Sequence, residues 1–264
     1  MSLDVINLSL NVLTQFHTIA YMLSTPSTQN PSVRYAASIM TGDLVNLQST
    51  VEELEELGID ALHVDIIDGD FSPSMPMGLD IAKRLRQVTN LPMDAHIMST
   101  KNEYFVQEVL DMGMESVTFH HESTLHVDRL INLIRNSGSK AGVALNPATS
   151  LSVLEYVLPQ VDMLCAMLIN PGYATFASET QVPYALEKVS RLRRLIDEQG
   201  LDVDLQVDGR VSLATIPDLV RAGATNLVLG STGLFIKGNT LRENKRLLDL
   251  AVASAAEPAE LVAS

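Results

Sequence analysis

The sequence places imidazole and carboxylate side chains inside short apolar runs. His63 and Asp65 are two residues apart in LHVDIIDGDF. Leu62, Val64 and Ile66 alternate with them, which is the period of a β-strand and puts the two polar residues on one face. The flanking pattern suggests a strand buried on both faces, where these polar groups are unfavourable unless another group satisfies them.

Polar residues recur at the ends of other predicted strands. These are Asp94 and His96 in PMDAHIMS, His120 in TFHHES and Asp208 in LQVDGR. A single histidine at a strand end is more often structural than a ligand, but packing alone explains such a convergence poorly. Two imidazoles and two carboxylates form a nitrogen and oxygen set that suits Zn, Fe, Mn or Co. A metal would also offset the burial of the carboxylates, so both a structural role and a metal site remain open.

From Arg34 onward, β-prone runs alternate with amphipathic helical runs. Strands are predicted at about 34–40, 60–66, 91–98, 115–120, 140–145, 162–169, 202–208 and 226–230. Helices are predicted at about 43–57, 78–88, 102–112, 126–136, 150–157, 181–199, 212–222 and 239–252. Eight such units favour a closed (β/α)8 barrel, whose strand ends meet at one rim. An open doubly wound sheet is the alternative, but no glycine-rich dinucleotide fingerprint follows the first strand.

The barrel is predicted to span residues 34–252 as one α/β domain. Residues 1–33 form an N-terminal extension, with an amphipathic helical stretch and the linker STPSTQNPS, and residues 253–264 form a tail that frays. The extension is expected to pack on the barrel or on another subunit, and a homo-oligomer is expected.

Composition narrows the class of partner. The 264 residues are 46% hydrophobic and 19% charged, and they carry a formal net charge of −14. That charge disfavours nucleic acid and anionic membranes, although helix N-termini can still bind a small anion. The lone Cys165 lies in an apolar run as core filler, and no lysine or arginine precedes Arg34. We therefore expect a cytoplasmic chain without a targeting peptide or membrane span.

Several motifs occur in order and with fitting spacing. They are LHVDIIDGDF, DAHIM, TFHHES, GVALNPATS, INPG, VDG and LGSTGLF. Together they resemble the ribulose-phosphate 3-epimerase family over about residues 34–250. Within that family, EQGLDVDLQVDG and GSTGLF look closest to the allulose-6-phosphate 3-epimerase branch. The resemblance implies a (β/α)8 barrel that inverts C3 of a ketose phosphate.

The resemblance also implies roles for the polar residues. His63, Asp65, His96 and Asp208 match the family's ligands for one divalent metal. Removal of the C3 proton, next to the C2 carbonyl, yields an enediolate whose charge a Lewis acid stabilises. Inversion needs a base on each side of the sugar, and by analogy Asp65 and Asp208 are those two. Met98 and Met167 match part of an apolar collar, although Ile67 stands where a third methionine is usual.

The residues that match the family's substrate contacts are less complete than those that match its metal ligands. Ser38 in AASIM matches a substrate-contacting serine, although Ala37 replaces the usual proline. Gly209, Gly230 and Ser231 fit a phosphate site at the loops after the last two strands. Arg210 replaces a second glycine, so it is either strained, forked onto the phosphate, or a solvent-facing arginine.

The loops after strands 2 and 6 also depart from the family pattern. Gly172 is kept, but Ala174 and Thr175 replace glycines and the loop is longer. Asp70 stands where histidine is common, and Ser74 where asparagine is expected. The catalytic centre therefore looks standard, whereas substrate recognition has changed.

Three functions follow from these features. The first is a metal-dependent ketose-phosphate 3-epimerase, with D-ribulose 5-phosphate to D-xylulose 5-phosphate as the default reaction and D-allulose 6-phosphate, or another hexulose phosphate, as the runner-up. The second is a relative that binds a sugar phosphate without turnover, suggested by the altered loops. A decarboxylase or aldolase is weaker, because HVDIID supplies no lysine.

Overall fold

The computed structural model describes residues 33–172 and 178–256. Apart from Val33, the predicted N-terminal extension lies outside these ranges, and so do residues 173–177 and most of the predicted tail. The proposed extension, linker and tail boundaries therefore stay predictions.

Eight parallel strands close into a barrel in chain order, and β8 pairs back onto β1. They are β1 Arg34–Ser38, β2 Ala61–Ile67, β3 Met93–Met98, β4 Ser116–His120, β5 Lys140–Leu145, β6 Met163–Met167, β7 Asp204–Asp208 and β8 Asn226–Leu229. The predicted (β/α)8 barrel is confirmed, and every predicted strand overlaps an observed one.

Helices follow most of the strands. In the described ranges they are α1 Leu47–Glu56, α2 Leu79–Val88, α3 Asn102–Asp111, α4 Val127–Asn136, α5 Ala185–Glu198, α6 Ile216–Arg221 and α7 Leu241–Ser254. Short 3-10 helices occupy Ile39–Thr41, His121–Ser123, Leu151–Leu154 and Leu158–Gln160. None of the helices in this part of the chain has the length and apolar character needed to cross a membrane.

The predicted α-helix at 150–157 is wrong. Two 3-10 helices, Leu151–Leu154 and Leu158–Gln160, occupy this stretch. Ser150 accepts a hydrogen bond from the Ser152 amide, which caps a tight turn rather than an α-helix. Pro159 stands in the second short helix, where it has no amide hydrogen to continue an α-helical ladder. The apolar spacing had suggested a helix, but these local bonds favour short turns.

Strand alternation sets the two faces of β2. All seven residues of the strand are buried. Leu62, Val64 and Ile66 join the core that packs between the sheet and the helices, where each buried aliphatic side chain contributes about 1.5–3 kcal/mol. His63 and Asp65 point the other way, into the barrel.

The strand register brings the interior polar residues side by side. Asp65 pairs with His96 across β2 and β3, and Ser38 pairs with His63 across β1 and β2. On the opposite wall, Met167 of β6 pairs with Asp208 of β7. The barrel therefore brings residues far apart in the sequence to a similar depth.

Candidate metal centre and active site

Four side chains from three strands meet inside the barrel. One ligand atom from each of His63, Asp65, His96 and Asp208 lies within 4.8 Å of the others. His63 Nε2 is 3.3 Å from Asp65 Oδ1 and 3.9 Å from Asp208 Oδ2. His96 Nδ1 is 3.6 Å and 3.4 Å from the same two oxygens. The two imidazoles therefore face the two carboxylates across one small space.

The hydrogen bonding of this group fits a metal ion. His63 Nε2 and His96 Nδ1 are buried and have no hydrogen-bond partner among the described residues. Leaving a buried polar atom unpaired costs about 1–3 kcal/mol. A cation among the four side chains would satisfy both nitrogens and balance both carboxylates. Two nitrogens and two carboxylate oxygens suit Zn, Fe, Mn or Co alike.

Asp94 orients the first imidazole. Its Oδ2 lies 2.8 Å from His63 Nδ1 and accepts a hydrogen bond from Gln206 at 2.7 Å. Its Oδ1 accepts one from Ser116 at 3.0 Å. Because Nδ1 faces a carboxylate, the proton of the neutral ring lies on Nδ1 and the Nε2 lone pair faces the other ligands. Asp94 is thus a supporting residue and not a fifth ligand.

The pKa values of His63, Asp65 and His96 depend on their charged neighbours as well as on burial. Burial lowers the pKa of His63, but Asp65 and Asp94 more than reverse this and hold that pKa well above its ordinary value. Burial raises the pKa of Asp65, but the adjacent imidazoles of His63 and His96 bring it below its usual range. Burial also lowers the pKa of His96, but Asp208 and Asp65 more than reverse this and hold the pKa above its ordinary value. Metal binding to neutral imidazoles therefore displaces protons from this cluster.

The predicted neighbours surround these side chains. Ser38 donates a hydrogen bond to Asp65 Oδ2 at 3.1 Å. Met98 and Met167 are buried, and Met167 packs with Ala144 and Cys165. Burial raises the pKa of the Cys165 thiol well above its ordinary value, which agrees with a filler role. Contacts of Ser38 and the two methionines with substrate stay predictions.

A cavity of about 250 Å³ opens beside the metal ligands. Asp208, 16% exposed in its side chain, lies in its wall together with Ser38. The other lining residues include Gly172, Gly209, Arg210, Gly230 and Ser231. The cavity is therefore lined both by Asp208, a predicted proton-transfer group, and by every residue predicted to bind the substrate phosphate.

The backbone after β7 has an unusual conformation. Arg210 adopts a φ of 52° and is the one residue other than glycine with positive φ in the described ranges. This conformation costs a residue with a Cβ atom roughly 1–2 kcal/mol. The preceding Gly209 has a φ of 109°, and a Cβ there would lie 2.9 Å from the Ile169 backbone nitrogen. Arg210 is therefore strained, which was one of the three alternatives for this residue. It also lines the cavity.

Loops around the rim bond to each other. Ser72 donates to the Pro171 carbonyl at 2.7 Å, which places the β2 loop against the β6 loop. A Cβ on Gly172 would meet the Ser72 hydroxyl at 2.1 Å. Asp70 accepts a hydrogen bond from Thr100 at 2.9 Å. The changed Ala174 and Thr175 lie outside the described residues.

Sequence patterns identified His120 at the end of a strand but missed Glu122 and the contact of His120 with His96. His96 Nε2 lies 2.9 Å from His120 Nε2, and His120 Nδ1 lies 3.4 Å from Glu122 Oε2. Glu122 follows His120 by two positions in TFHHES, so the spacing was visible. The role of Glu122 was not visible in the sequence, because Glu122 lies in a 3-10 turn after β4 and not on the strand.

Comparisons with known proteins identify the family of the chain. The model of the ribulose-phosphate 3-epimerase family matches residues 34–235. A ribulose-phosphate 3-epimerase of Methanocaldococcus jannaschii is 36% identical over 220 residues, covering 83% of this chain and 92% of the relative. One of Escherichia coli strain K12 is 36% identical over 197 residues, covering 74% and 86%.

Solved structures agree on the fold. A mutant tryptophan synthase α-subunit from Pyrococcus furiosus superposes with a TM-score of 0.60 over 85% of this chain and 98% of its own, at 15% identity. A thiamine phosphate pyrophosphorylase from the same organism gives 0.57 over 86% and 98%, at 14% identity. At such identities the likeness extends to the barrel alone. The family match and the identity to its members show more: the chain belongs to the ribulose-phosphate 3-epimerase family, whose members are isomerases that act on carbohydrates.

Proposed function

We propose that the protein is a metal-dependent ketose-phosphate 3-epimerase that converts D-ribulose 5-phosphate to D-xylulose 5-phosphate. The observation that carries the proposal is the buried group of His63, Asp65, His96 and Asp208 at the edge of a cavity. Relatives named for the ribulose reaction, at about 36% identity over most of the chain, favour this substrate. D-Allulose 6-phosphate is the runner-up because of the changed loops.

Asp65 and Asp208 are the two groups that transfer the C3 proton in this proposal. Asp65 lies on β2 and Asp208 on β7, so they approach the interior from different walls of the barrel. One carboxylate takes the proton from C3 and the other, protonated, returns a proton to the opposite face. The enediolate between the two steps is planar at C3, which permits inversion. One turnover leaves the first group protonated and the second ionised, so proton exchange with solvent must restore the starting state before the next turnover, and the reverse reaction uses the two groups in the opposite roles.

The metal, the two histidine ligands and neighbouring side chains support this proton transfer in the proposal. A divalent cation held by the four side chains supplies Lewis-acid stabilisation of the negative charge on the enediolate oxygens. His63, held by Asp94, and His96, held by His120, keep their free nitrogens directed at the two carboxylates. Ser38 donates to Asp65 Oδ2 and so favours the ionised form that can accept a proton. Met98 and Met167 add apolar surface that excludes water from the reacting carbon.

The phosphate binds at the loops after β6, β7 and β8 in this proposal. Gly233, Leu234 and Phe235 all donate backbone hydrogen bonds to the Gly230 carbonyl, which forms a tight helical turn. The first amides of such a turn have no partner within it and bind anions readily. Arg210 adds a guanidinium group with the geometry to hold two phosphate oxygens.

A panel of pentulose and hexulose phosphates tests the proposal. Purified protein loaded with Mn²⁺, Zn²⁺, Co²⁺ or Fe²⁺ is mixed with each sugar, and inversion at C3 is followed by NMR. We expect the fastest turnover with D-ribulose 5-phosphate and loss of activity after chelation. Inactivity of every metal-loaded form on the whole panel would overturn the proposal. Ligand-induced thermal stabilisation without C3–H exchange in D₂O would support the non-catalytic binding protein instead.

A further inference from the structure

The two histidine ligands are supported in different ways. His63 Nδ1 lies directly against the Asp94 carboxylate at 2.8 Å. His96 Nε2 faces a second imidazole, His120 Nε2, at 2.9 Å. The two rings meet at their Nε2 edges, with an angle of 18° between planes and 5.0 Å between centroids, and both side chains are fully buried.

Only one proton can lie between the two facing nitrogens. His96 Nδ1 points at Asp65 and Asp208, so it must keep its lone pair if His96 is to bind a metal. The His96 proton is then on Nε2 and is donated to His120 Nε2. His120 in turn is neutral, with its own proton on Nδ1, facing Glu122 Oε2 at 3.4 Å. That contact is long, so Glu122 acts on His120 mainly through its charge.

Glu122 is itself held in place from the next loop. Its Oε1 accepts hydrogen bonds from the Asn146 amide at 2.8 Å and from the Thr149 hydroxyl. Lys188 holds the same loop, because its ammonium donates to the carbonyls of Asn146 at 2.6 Å and Thr149 at 3.1 Å. The carboxylate therefore has a fixed position relative to His120.

Phe71 also contacts the His120 ring. Its ring lies 4.7 Å from the His120 ring, centroid to centroid, at an angle of 47°. The hydrogen bond to His96 at one ring edge and the ring contact with Phe71 together restrict the rotation of His120. The orientation of His96 therefore depends on a side chain that does not contact the metal position.

We infer that Glu122 is a positioning residue of the metal centre, acting through His120 to fix the tautomer and orientation of His96. The inference rests on the proposed metal-dependent function. It implies that the metal affinity depends on a carboxylate two side chains away from the metal, through a chain of Glu122, His120 and His96. Supporting residues of this kind commonly change metal affinity by about 10–100-fold.

Cobalt binding to the full-length protein tests the inference without use of activity. The dissociation constant for Co²⁺ is measured by competition with a chromophoric chelator, and the visible Co²⁺ spectrum and thermal unfolding are recorded in parallel. Glu122→Gln removes the charge but retains an oxygen for Asn146, and we expect its Co²⁺ dissociation constant to rise by about 10-fold with an altered spectrum. Glu56→Gln, the same change on the exposed end of α1, is the matched control and should bind as the wild type does.

A pair of variants at His120 separates hydrogen bonding from packing. His120→Gln keeps an acceptor for His96 and should retain most of the affinity, whereas His120→Phe keeps a ring without an acceptor and should lose it. Wild-type affinity and spectrum in folded Glu122→Gln and His120→Phe would overturn the inference. Absence of Co²⁺ binding to the wild-type protein would overturn the proposed metal site itself, so the two failures are distinguishable.

Discussion

The proposed metal side and the proposed phosphate side of the cavity are built differently. On the metal side, the reactive groups are side chains of β2, β3 and β7, and their partners are side chains of neighbouring strands. On the phosphate side, the lining comes from loop residues, among them Gly172, Arg210, Gly230 and Ser231. A barrel fixes strand side chains through its register, whereas loops can change without altering that register.

The departures from the family motifs follow this division. The four proposed ligands are intact, and the change at Ile67 on the same strand replaces one buried apolar side chain by another. On the phosphate side, Arg210 stands at a φ of 52° where a glycine would be unstrained. A strained residue in a ligand cavity indicates a function that offsets the strain. The comparison therefore predicts that the chemistry is retained and that recognition of the phosphate end differs.

The largest expected effect is on the metal side. Asp208→Asn removes a proton-transfer group but retains an oxygen ligand, so epimerisation should fall by about 10²–10⁴-fold while the fold persists. The rate is measured with metal-loaded protein, and metal content and thermal unfolding are recorded for the same sample. Asp202→Asn, the same change at an exposed site before β7, is the control. Wild-type turnover in Asp208→Asn would remove Asp208 from the mechanism.

An intermediate effect is expected on the phosphate side. Arg210→Gly and Arg210→Ala both remove the guanidinium group, so both should raise KM for the phosphorylated sugar by about 10-fold, the loss of one charge-assisted hydrogen bond, with little change in kcat. Only glycine fits the positive φ, so Arg210→Gly should be more stable than Arg210→Ala by about 1 kcal/mol. Steady-state kinetics and urea unfolding measure the two differences. An unchanged KM in both variants would remove Arg210 from the proposed phosphate site.

The smallest effect is expected from restoring the usual residue beside the ligands. Ile67→Met replaces one buried apolar side chain by another of similar volume, which costs less than about 1.5 kcal/mol. The ratio kcat/KM should change by less than about threefold, which is smaller than the change expected from the KM effect at Arg210. A larger gain in kcat would show that the missing methionine limits the reaction and would weaken the contrast between the two sides.

Sequence patterns predicted the parts of the site that depend on alternation. The period-2 pattern in LHVDIIDGDF was enough to put His63 and Asp65 on the inner face of β2, because one face of each barrel strand must point inward. The helix predicted at 150–157 failed because local hydrogen bonds at Ser150 and the proline at 159 favour 3-10 turns over the apolar period.

Contacts between loops were not predictable in the same way. Glu122 supports His120 only because the loop after β5, through Asn146 and Thr149, holds its carboxylate. Those residues are distant in the sequence, and no pattern near Glu122 indicates which loop it meets. Loop contacts on the phosphate side are equally hard to predict from the sequence. Ser72 and Pro171, for example, are in contact although they are ninety-nine positions apart.

The most direct test of the two-base mechanism follows the C3 proton in D₂O with each epimer separately. Wild-type, Asp65→Asn and Asp208→Asn proteins, with equal metal content, are mixed with D-ribulose 5-phosphate or D-xylulose 5-phosphate, and deuterium at C3 is measured by NMR. The wild type should exchange and invert both sugars. Each variant should exchange only the epimer whose C3 proton faces the remaining aspartate, without inversion, and the two variants should show opposite preferences. Loss of exchange with the same epimer in both variants, or inversion by either, would contradict the assignment of Asp65 and Asp208 to opposite faces.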